Sequence, residues 1–87
     1  MNYMPKKNII DVDLDDKKVI LNIDSGIYYE LNHTSSNIFE FLKSGPKNQL
    51  QIKEHLKNIY DVSDEVLEKS LNHFLDNKEI FTTSVDG

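Results

Sequence analysis

The segment that most constrains the fold is residues 22–32, in which one glycine separates two stretches of strand-forming residues. Residues 18–23 are dominated by aliphatic side chains, and residues 27–31 contain two adjacent tyrosines. Such stretches on either side of an Asp-Ser-Gly sequence predict a β-hairpin. We predict a three-residue loop that ends at Gly26, because glycine adopts a positive φ at little steric cost.

A further strand is predicted before this hairpin, so that residues 9–31 form a three-stranded antiparallel meander. Residues 9–14 alternate apolar with acidic side chains, which is typical of a strand with one buried face. A two-residue turn at Asp15-Asp16 fixes the register of the first hairpin. It pairs Val12 with Val19 and Ile10 with Leu21, and it sets Asp13 opposite Lys18 as a favourable charge pair.

The register of the second hairpin follows from requiring paired residues to share a face of the sheet. A two-residue loop would pair Leu21 with Tyr28 and mix the faces, whereas a three-residue loop pairs Leu21 with Tyr29. Tyr28 then points to the opposite face. The predicted buried face consists of Ile10, Val12, Val19, Leu21, Ile23, Ile27, Tyr29 and Leu31.

Three helices are predicted within residues 34–78. Asn48 and Ser63 are suited to cap the second and third helices, and Gly45-Pro46 ends the first. Residues 80–83 are either a short final strand or an extended tail. We therefore expect one α+β domain over residues 1–87, a three-stranded sheet followed by a winged-helix-like bundle of three helices, with flexible ends at 1–8 and 82–87.

Composition excludes several function classes. The absence of cysteine rules out disulfides, thiol catalysis and thiolate metal sites. The net charge of −5 disfavours nonspecific binding to nucleic acid or anionic membrane. We find no signal peptide and no apolar run of transmembrane length, so we expect a cytoplasmic protein.

No motif indicates catalysis or a cofactor. A nucleophile elbow and a glycine-rich phosphate loop are both missing, so we predict that the chain is not an enzyme and holds no cofactor. His33, His55 and His73 lack the spacing of a zinc motif and are interpreted as ordinary surface residues, although spacing alone does not exclude zinc. The aspartates of residues 11–16 lack the glycine and glutamate of a calcium loop, and a solvated hairpin is favoured.

The helical half also resembles a helix-turn-helix, which makes a winged-helix DNA-binding regulator the alternative function. A recognition helix must approach phosphates. The third helix has only two basic residues, Lys69 and Lys78, against four acidic ones, and this charge balance disfavours DNA binding. The acidic residues are Asp64, Glu65, Glu68 and Asp76.

The third predicted strand offers an edge that charge does not protect. Edge strands are normally protected from further strand pairing by charged residues or proline. Residues 27–31 contain one charged residue, Glu30, and no proline. An extended peptide could add a strand here by β-augmentation. The alternatives are that the chain's own third helix or tail covers the edge, or that a second copy forms a homodimer through it.

Residues 24–34, followed by Ile38 and Leu42, resemble the G-x-Y-Y-x-L-N-x-T core of the PqqD-like family, also called RiPP precursor peptide recognition elements. The similarity continues through residues 52–56, residues 60–62 and the helix that ends in Phe74-Leu75. One departure is Glu79, where the family usually has glycine.

The resemblance implies a stand-alone adaptor that binds the leader segment of a ribosomally made precursor peptide. The leader would lie along the third strand, in the groove beside the third helix, and be delivered to a radical SAM enzyme or a lasso-type leader peptidase. Carried onto this sequence, the expected peptide-binding residues are Gly26, Ile27, Tyr28, Tyr29, Glu30, Leu31, Leu67, Lys69, Ser70, Leu71, His73 and Phe74.

Overall fold

Two small antiparallel sheets and three helices build the chain, which a computed structural model describes over residues 1–84. This architecture confirms the predicted α+β class. The elements are β1 Asn2–Pro5, β2 Ile9–Leu14, β3 Lys17–Asn22, β4 Tyr28–Leu31, α1 His33–Lys43, β5 Lys47–Asn48, α2 Gln49–Lys57, α3 Asp64–Leu75 and β6 Phe81–Ser84.

The first hairpin has the predicted register. Val12 pairs with Val19 and Asp13 with Lys18 across β2 and β3. Asp15 turns the chain with a φ of 51°, a left-handed value that aspartate tolerates better than most residues. Charge pairing and turn type were therefore sufficient to place these two strands.

The predicted register of the second hairpin is wrong by one residue. β3 and β4 pair Leu21 with Tyr28 and Ile20 with Tyr29, and the loop spans residues 23–26. The side-chain oxygen of Asn22 accepts hydrogen bonds from the backbone N–H groups of Asp24 and Ser25, at 3.0 and 3.1 Å. Asparagine thus forms the first part of the turn, and Gly26 completes it with a φ of 75°, as predicted for this residue.

The faces of β2 and β3 are inverted relative to the prediction. Ile20 is fully buried between Lys18 and Asn22, which are buried as well. By contrast, Ile10 and Val12 are 45% and 50% exposed. A shift of one residue in strand pairing moves a whole set of side chains to the other face of the sheet. Of the predicted buried residues, only Leu31 is buried and Tyr29 half-buried against the core. The residues that lie outside the core are Ile10, Val12, Val19, Leu21, Ile23 and Ile27.

Lys18 is tolerated inside because three carboxylates surround its ammonium group. Asp11 and Asp13 lie 3.1 and 2.9 Å from Nζ, and Glu40 of α1 completes the cluster. Burial alone would lower the pKa of Lys18, but the hydrogen bonds to these carboxylates outweigh it and raise the pKa. Asp11 is likewise subject to burial, which would raise its pKa, yet hydrogen bonds from Lys43 and Lys18 lower it overall.

Asn22 is satisfied by a second polar network. Its amide nitrogen donates to the backbone oxygen of Glu79 at 2.8 Å and to the Glu79 carboxylate at 3.0 Å. The same carboxylate accepts from Ser25 Oγ at 2.9 Å. Glu79, which replaces the glycine usual in the resembling family, therefore fastens the β3–β4 loop to the segment that follows α3.

Strands form in the described parts of both segments that the sequence predicts to be flexible ends. Residues 2–5 form β1, which lies between β5 and β6, and Pro5 pairs with Phe81. Residues 82–84 belong to β6, and residues 85–87 lie outside the described part of the chain. Residues 1–8 have no periodic apolar pattern that would predict this strand. The strand forms by pairing with residues far along the sequence and by packing of Tyr3 on the core.

The helices begin where their caps predict. Asn32, Asn48 and Ser63 accept hydrogen bonds from the first turns of α1, α2 and α3, and Asn48 forms a capping box with Gln51. The three helices and the inner face of the β2–β3–β4 sheet contribute to one core. Within the described residues, no helix combines the length and hydrophobicity needed to cross a membrane. The core residues are Ile20, Leu31, Ile38, Phe39, Leu42, Ile52, Leu56, Leu67, Leu71, Leu75, Ile80 and Phe81.

Candidate functional site

The candidate site is the outer edge of β4 together with the groove between β4 and α3. In the sheet, β4 pairs with β3 on one side, and no strand among residues 1–84 pairs with its other side. The edge strand β2 differs, because its inward-facing aspartates are held by Lys18 and Lys43. The unprotected edge predicted from the sequence is therefore exposed in the structure.

The hydrogen-bond pattern shows which backbone groups of β4 face this edge. Asn22 N–H donates to the carbonyl oxygen of Ile27 at 2.9 Å. Hydrogen-bonded and non-hydrogen-bonded pairs alternate in an antiparallel ladder, so Tyr29 and Leu31 also direct their N–H and C=O groups toward β3. The corresponding groups of Tyr28 and Glu30 are directed outward, where an added strand would meet them.

The side chains of β4 divide between the two faces of the sheet. Tyr29 and Leu31 point inward to the helices, whereas Tyr28 is 71% exposed on the outer face. Glu30 shares the outer face and forms an ion pair with Lys17 at 3.1 Å. The inward pair forms one wall of the groove.

Two adjoining clefts make up the groove. One has a volume of about 160 Å³ and an apolar floor that includes Tyr29, Phe74 and Ile80. The other, about 240 Å³, lies toward the start of α1 and shares Ser35, His73 and Phe74 with the first. Pockets for whole drug-sized ligands measure roughly 300–1,000 Å³, so each cleft is suited to a side chain of an extended ligand. The full lining is Tyr29, Glu30, Leu31, Asn32, Thr34, Ser35, Ile38, Ser70, His73, Phe74, Asn77 and Ile80.

A third cleft of about 340 Å³ continues around the end of β4. Asp16, Lys17, Glu30 and His33 are among its lining residues, which makes it more polar than the groove. The three clefts lie around the carboxyl end of β4. Several small clefts beside an open strand edge suit the side chains of an extended chain better than a compact molecule.

The structure brings together half of the predicted peptide-binding residues in this lining: Tyr29, Glu30, Leu31, Ser70, His73 and Phe74. Gly26, Ile27 and Tyr28 lie along the same strand and its loop, and Lys69 is exposed on α3 outside the two clefts. Leu67 and Leu71 do not form the groove wall, because they are 3% and 0% exposed and belong to the core. These two leucines lie on the side of α3 that packs against the rest of the core.

Sequence reasoning missed several lining residues. Asn77 follows His73 and Phe74 by four and three positions, a spacing that places it on the same face of a helix, so it could have been found. Ser35 and Thr34 lie in the first turn of α1. Ile80 comes after α3 and reaches the groove floor only through tertiary packing, and the sequence carries no signal for that.

Two acidic residues of α3, Asp64 and Glu68, form ion pairs with α2. Glu68 pairs with Lys53 at 3.0 Å and Asp64 with Lys57 at 2.7 Å. The hydrogen bond from Lys57 lowers the pKa of Asp64. Within residues 1–84, no cluster of three or more histidine, aspartate or glutamate side chains is arranged to hold a metal ion.

Comparison with known proteins matches the chain to one family and to two solved structures. The family model for coenzyme PQQ synthesis protein D (PqqD) matches residues 17–77, which is more than two thirds of the chain. No curated protein sequence matches the chain.

The first solved structure is TbiB1 in complex with the TbiA(beta) leader peptide. It is 27% identical, with a TM-score of 0.80, over 95% of this chain and 99% of that one. The second is a lasso peptide synthetase B1 complexed with the leader peptide. It is 20% identical, with a TM-score of 0.79, over 95% and 100% of the two chains, and at this identity it supports the fold alone.

Proposed function

The chain belongs to the family of coenzyme PQQ synthesis protein D (PqqD), and we propose that it binds the leader segment of a ribosomally made precursor peptide. The leader adds a fourth strand to the open edge of β4, in the groove beside α3. The chain then delivers the precursor to a modifying enzyme or a leader peptidase and performs no chemistry of its own. We place this activity in the cytoplasm, where ribosomal peptides are made.

The observation that carries this proposal is the outward direction of the Tyr28 and Glu30 backbone groups beside a groove lined by α3. Main-chain hydrogen bonds along an edge give affinity, and pockets for alternate side chains give specificity. Here the edge and the pockets lie next to each other. The likeness to a leader-bound chain at 27% identity over nearly its whole length supports the same ligand class.

The expected complex uses about ten leader residues, antiparallel to β4, with alternate side chains entering the two clefts. An apolar or aromatic anchor suits the floor formed by Tyr29, Phe74 and Ile80. One strand with one such anchor predicts a Kd of roughly 0.1–10 μM.

Two substitutions at one position separate backbone from side-chain recognition. Tyr28→Pro removes an outward N–H and fixes φ, so we expect leader binding to fall by at least about tenfold. Tyr28→Thr keeps the N–H and the strand preference while removing the ring from the outer face, so binding should change by less than about threefold. Isothermal titration calorimetry with the leader of the precursor encoded beside this chain measures both.

The fold of each variant is checked by its amide spectrum, because an edge strand tolerates proline where the N–H faces solvent. The spectrum also locates the peptide. We expect shifts in residues 26–32 and along the groove side of α3, at Ser70, His73 and Phe74. Shifts confined to β1 or β6, or equal binding by Tyr28→Pro and the unmodified chain, would refute the proposal.

A further inference from the structure

The outer face of the β2–β3–β4 sheet is apolar and uncovered. Val12 and Leu14 of β2 are 50% and 49% exposed, and they lie beside the half-buried Val19 and Leu21 of β3. Tyr28, which pairs with Leu21, extends the row onto β4. These side chains expose an apolar area on the order of 400 Å², within the range of the largest patch on a typical monomer. No element of residues 1–84 packs over them.

The charges around this face disfavour a second copy as its occupant. Asp15 and Asp16 make one end of the sheet acidic, Asp24 and the exposed Lys7 lie at the other end, and Lys17 on the face is neutralised by Glu30. A two-fold dimer places identical surfaces against each other and would bring these acidic ends together in two chains of net charge −5. A partner with an apolar centre and basic flanks is complementary instead.

The area of the face points to the same conclusion. A stable complex of standard size buries about 800 Å² on each partner, roughly twice what this face offers alone. The missing surface can come from the peptide. In a strand added to β4, alternate residues point away from the groove and lie beside Tyr28 and Glu30 on the outer face. A bound leader would therefore widen the outer face by one row of side chains.

We infer that the outer face is the docking surface for the enzyme that processes the bound precursor, and that this enzyme contacts the sheet and the leader together. The inference rests on the proposed function. The enzyme presents an apolar patch flanked by lysine or arginine, and it binds the loaded chain more tightly than the empty one. The side chains on one face of the added strand thus contact the groove of this chain, and those on the other face contact the enzyme.

The test uses the full chain, the leader peptide and the processing enzyme encoded beside them. The double variant Val12→Thr/Leu14→Thr makes the outer face polar while keeping residues that suit a strand. The matched control is Leu50→Gln, which changes an exposed leucine on α2, away from this sheet. Affinity for the leader and for the enzyme, with and without leader, is measured for each protein by surface plasmon resonance.

We expect the double variant to lose at least about tenfold in enzyme affinity and to keep its leader affinity within about twofold. Leu50→Gln should change neither, and leader should raise the enzyme affinity of the unmodified chain by at least about fivefold. Unchanged enzyme affinity in the double variant would overturn the inference and leave leader binding intact. Failure of the proposed function has another signature, since the unmodified chain would then not bind leader.

Sedimentation velocity of the chain alone distinguishes the competing occupant. We expect a monomer at micromolar concentration for the unmodified chain and for the double variant. A dimer that the double variant converts to a monomer would assign the outer face to a second copy and overturn the docking of an enzyme.

Discussion

The inner face of the β2–β3–β4 sheet buries a lysine and an asparagine beside Ile20, whereas the outer face exposes a row of aliphatic side chains. The two faces thus reverse the usual pattern, with polar side chains buried on one and apolar side chains exposed on the other. Lys18 and Asn22 are buried because each has a full set of hydrogen-bonding partners. Val12 and Leu14 remain about half exposed, and no element of residues 1–84 packs over them, which is typical of a surface that binds a partner.

The largest predicted difference between the faces is in the free energy of unfolding on truncating an isoleucine. Ile20→Ala removes a fully buried side chain and should destabilise the chain by about 3 kcal/mol. Ile10→Ala changes the same residue type at 45% exposure and should cost under about 1 kcal/mol. Urea denaturation followed by circular dichroism measures both. Equal losses would show that the outer face is covered in solution.

The second prediction compares adjacent lysines on opposite faces. Lys18→Met leaves Asp11, Asp13 and Glu40 without their shared cation and should cost about 2 kcal/mol, less than a fully buried pair because two of the carboxylates are partly in water. Lys17→Met breaks only an exposed pair with Glu30 and should cost under about 0.5 kcal/mol. The same denaturation assay applies, and a larger loss in Lys17→Met would contradict the assignment of faces.

The third and smallest prediction concerns pH. The pKa of Asp11 is lowered in the folded chain, so its contribution is present above the ordinary value of 3.8 and is lost as pH falls through the folded value. Asp11→Asn should therefore cost about 1 kcal/mol at pH 7 and progressively less below pH 4. Lys18 has a raised pKa, so its contribution persists below its ordinary value of 10.5 and is lost only at higher pH. Urea denaturation of the unmodified chain and of Asp11→Asn across this pH range measures the difference in their free energies of unfolding. A difference that stays constant from pH 7 to pH 2.5 would argue against this linkage.

The sequence was sufficient for the features that local chemistry decides. The Asp15-Asp16 turn, the Asp13–Lys18 pair and the caps at Asn48 and Ser63 were all predicted correctly. The division of the β4 tyrosines, with Tyr29 inward and Tyr28 outward, was also correct. The turn, the charge pair and the caps each depend on residues within a few positions of one another, whereas the tyrosine assignment was derived from a hairpin register that the structure shifts by one residue.

The features that depend on distant residues were not predictable. Alternation in β3 shows that its two faces differ, but the choice of buried face depends on Glu40 and Glu79, which lie far along the chain. Similarly, β1 is a strand because β5 and β6 enclose it. The unprotected edge of β4 was predicted from one short segment, whereas its groove needed Ile80 and the start of α1.

The most direct test of leader binding by strand addition is amide hydrogen exchange within β4, measured by NMR with and without leader. In the free chain, the outward N–H groups of Tyr28 and Glu30 should exchange fast, and those of Tyr29 and Leu31, bonded to β3, slowly. Saturating leader should slow Tyr28 and Glu30 by at least about tenfold and change the other two much less. Slowing that is uniform over the four amides, or absent from Tyr28 and Glu30, would contradict strand addition at this edge.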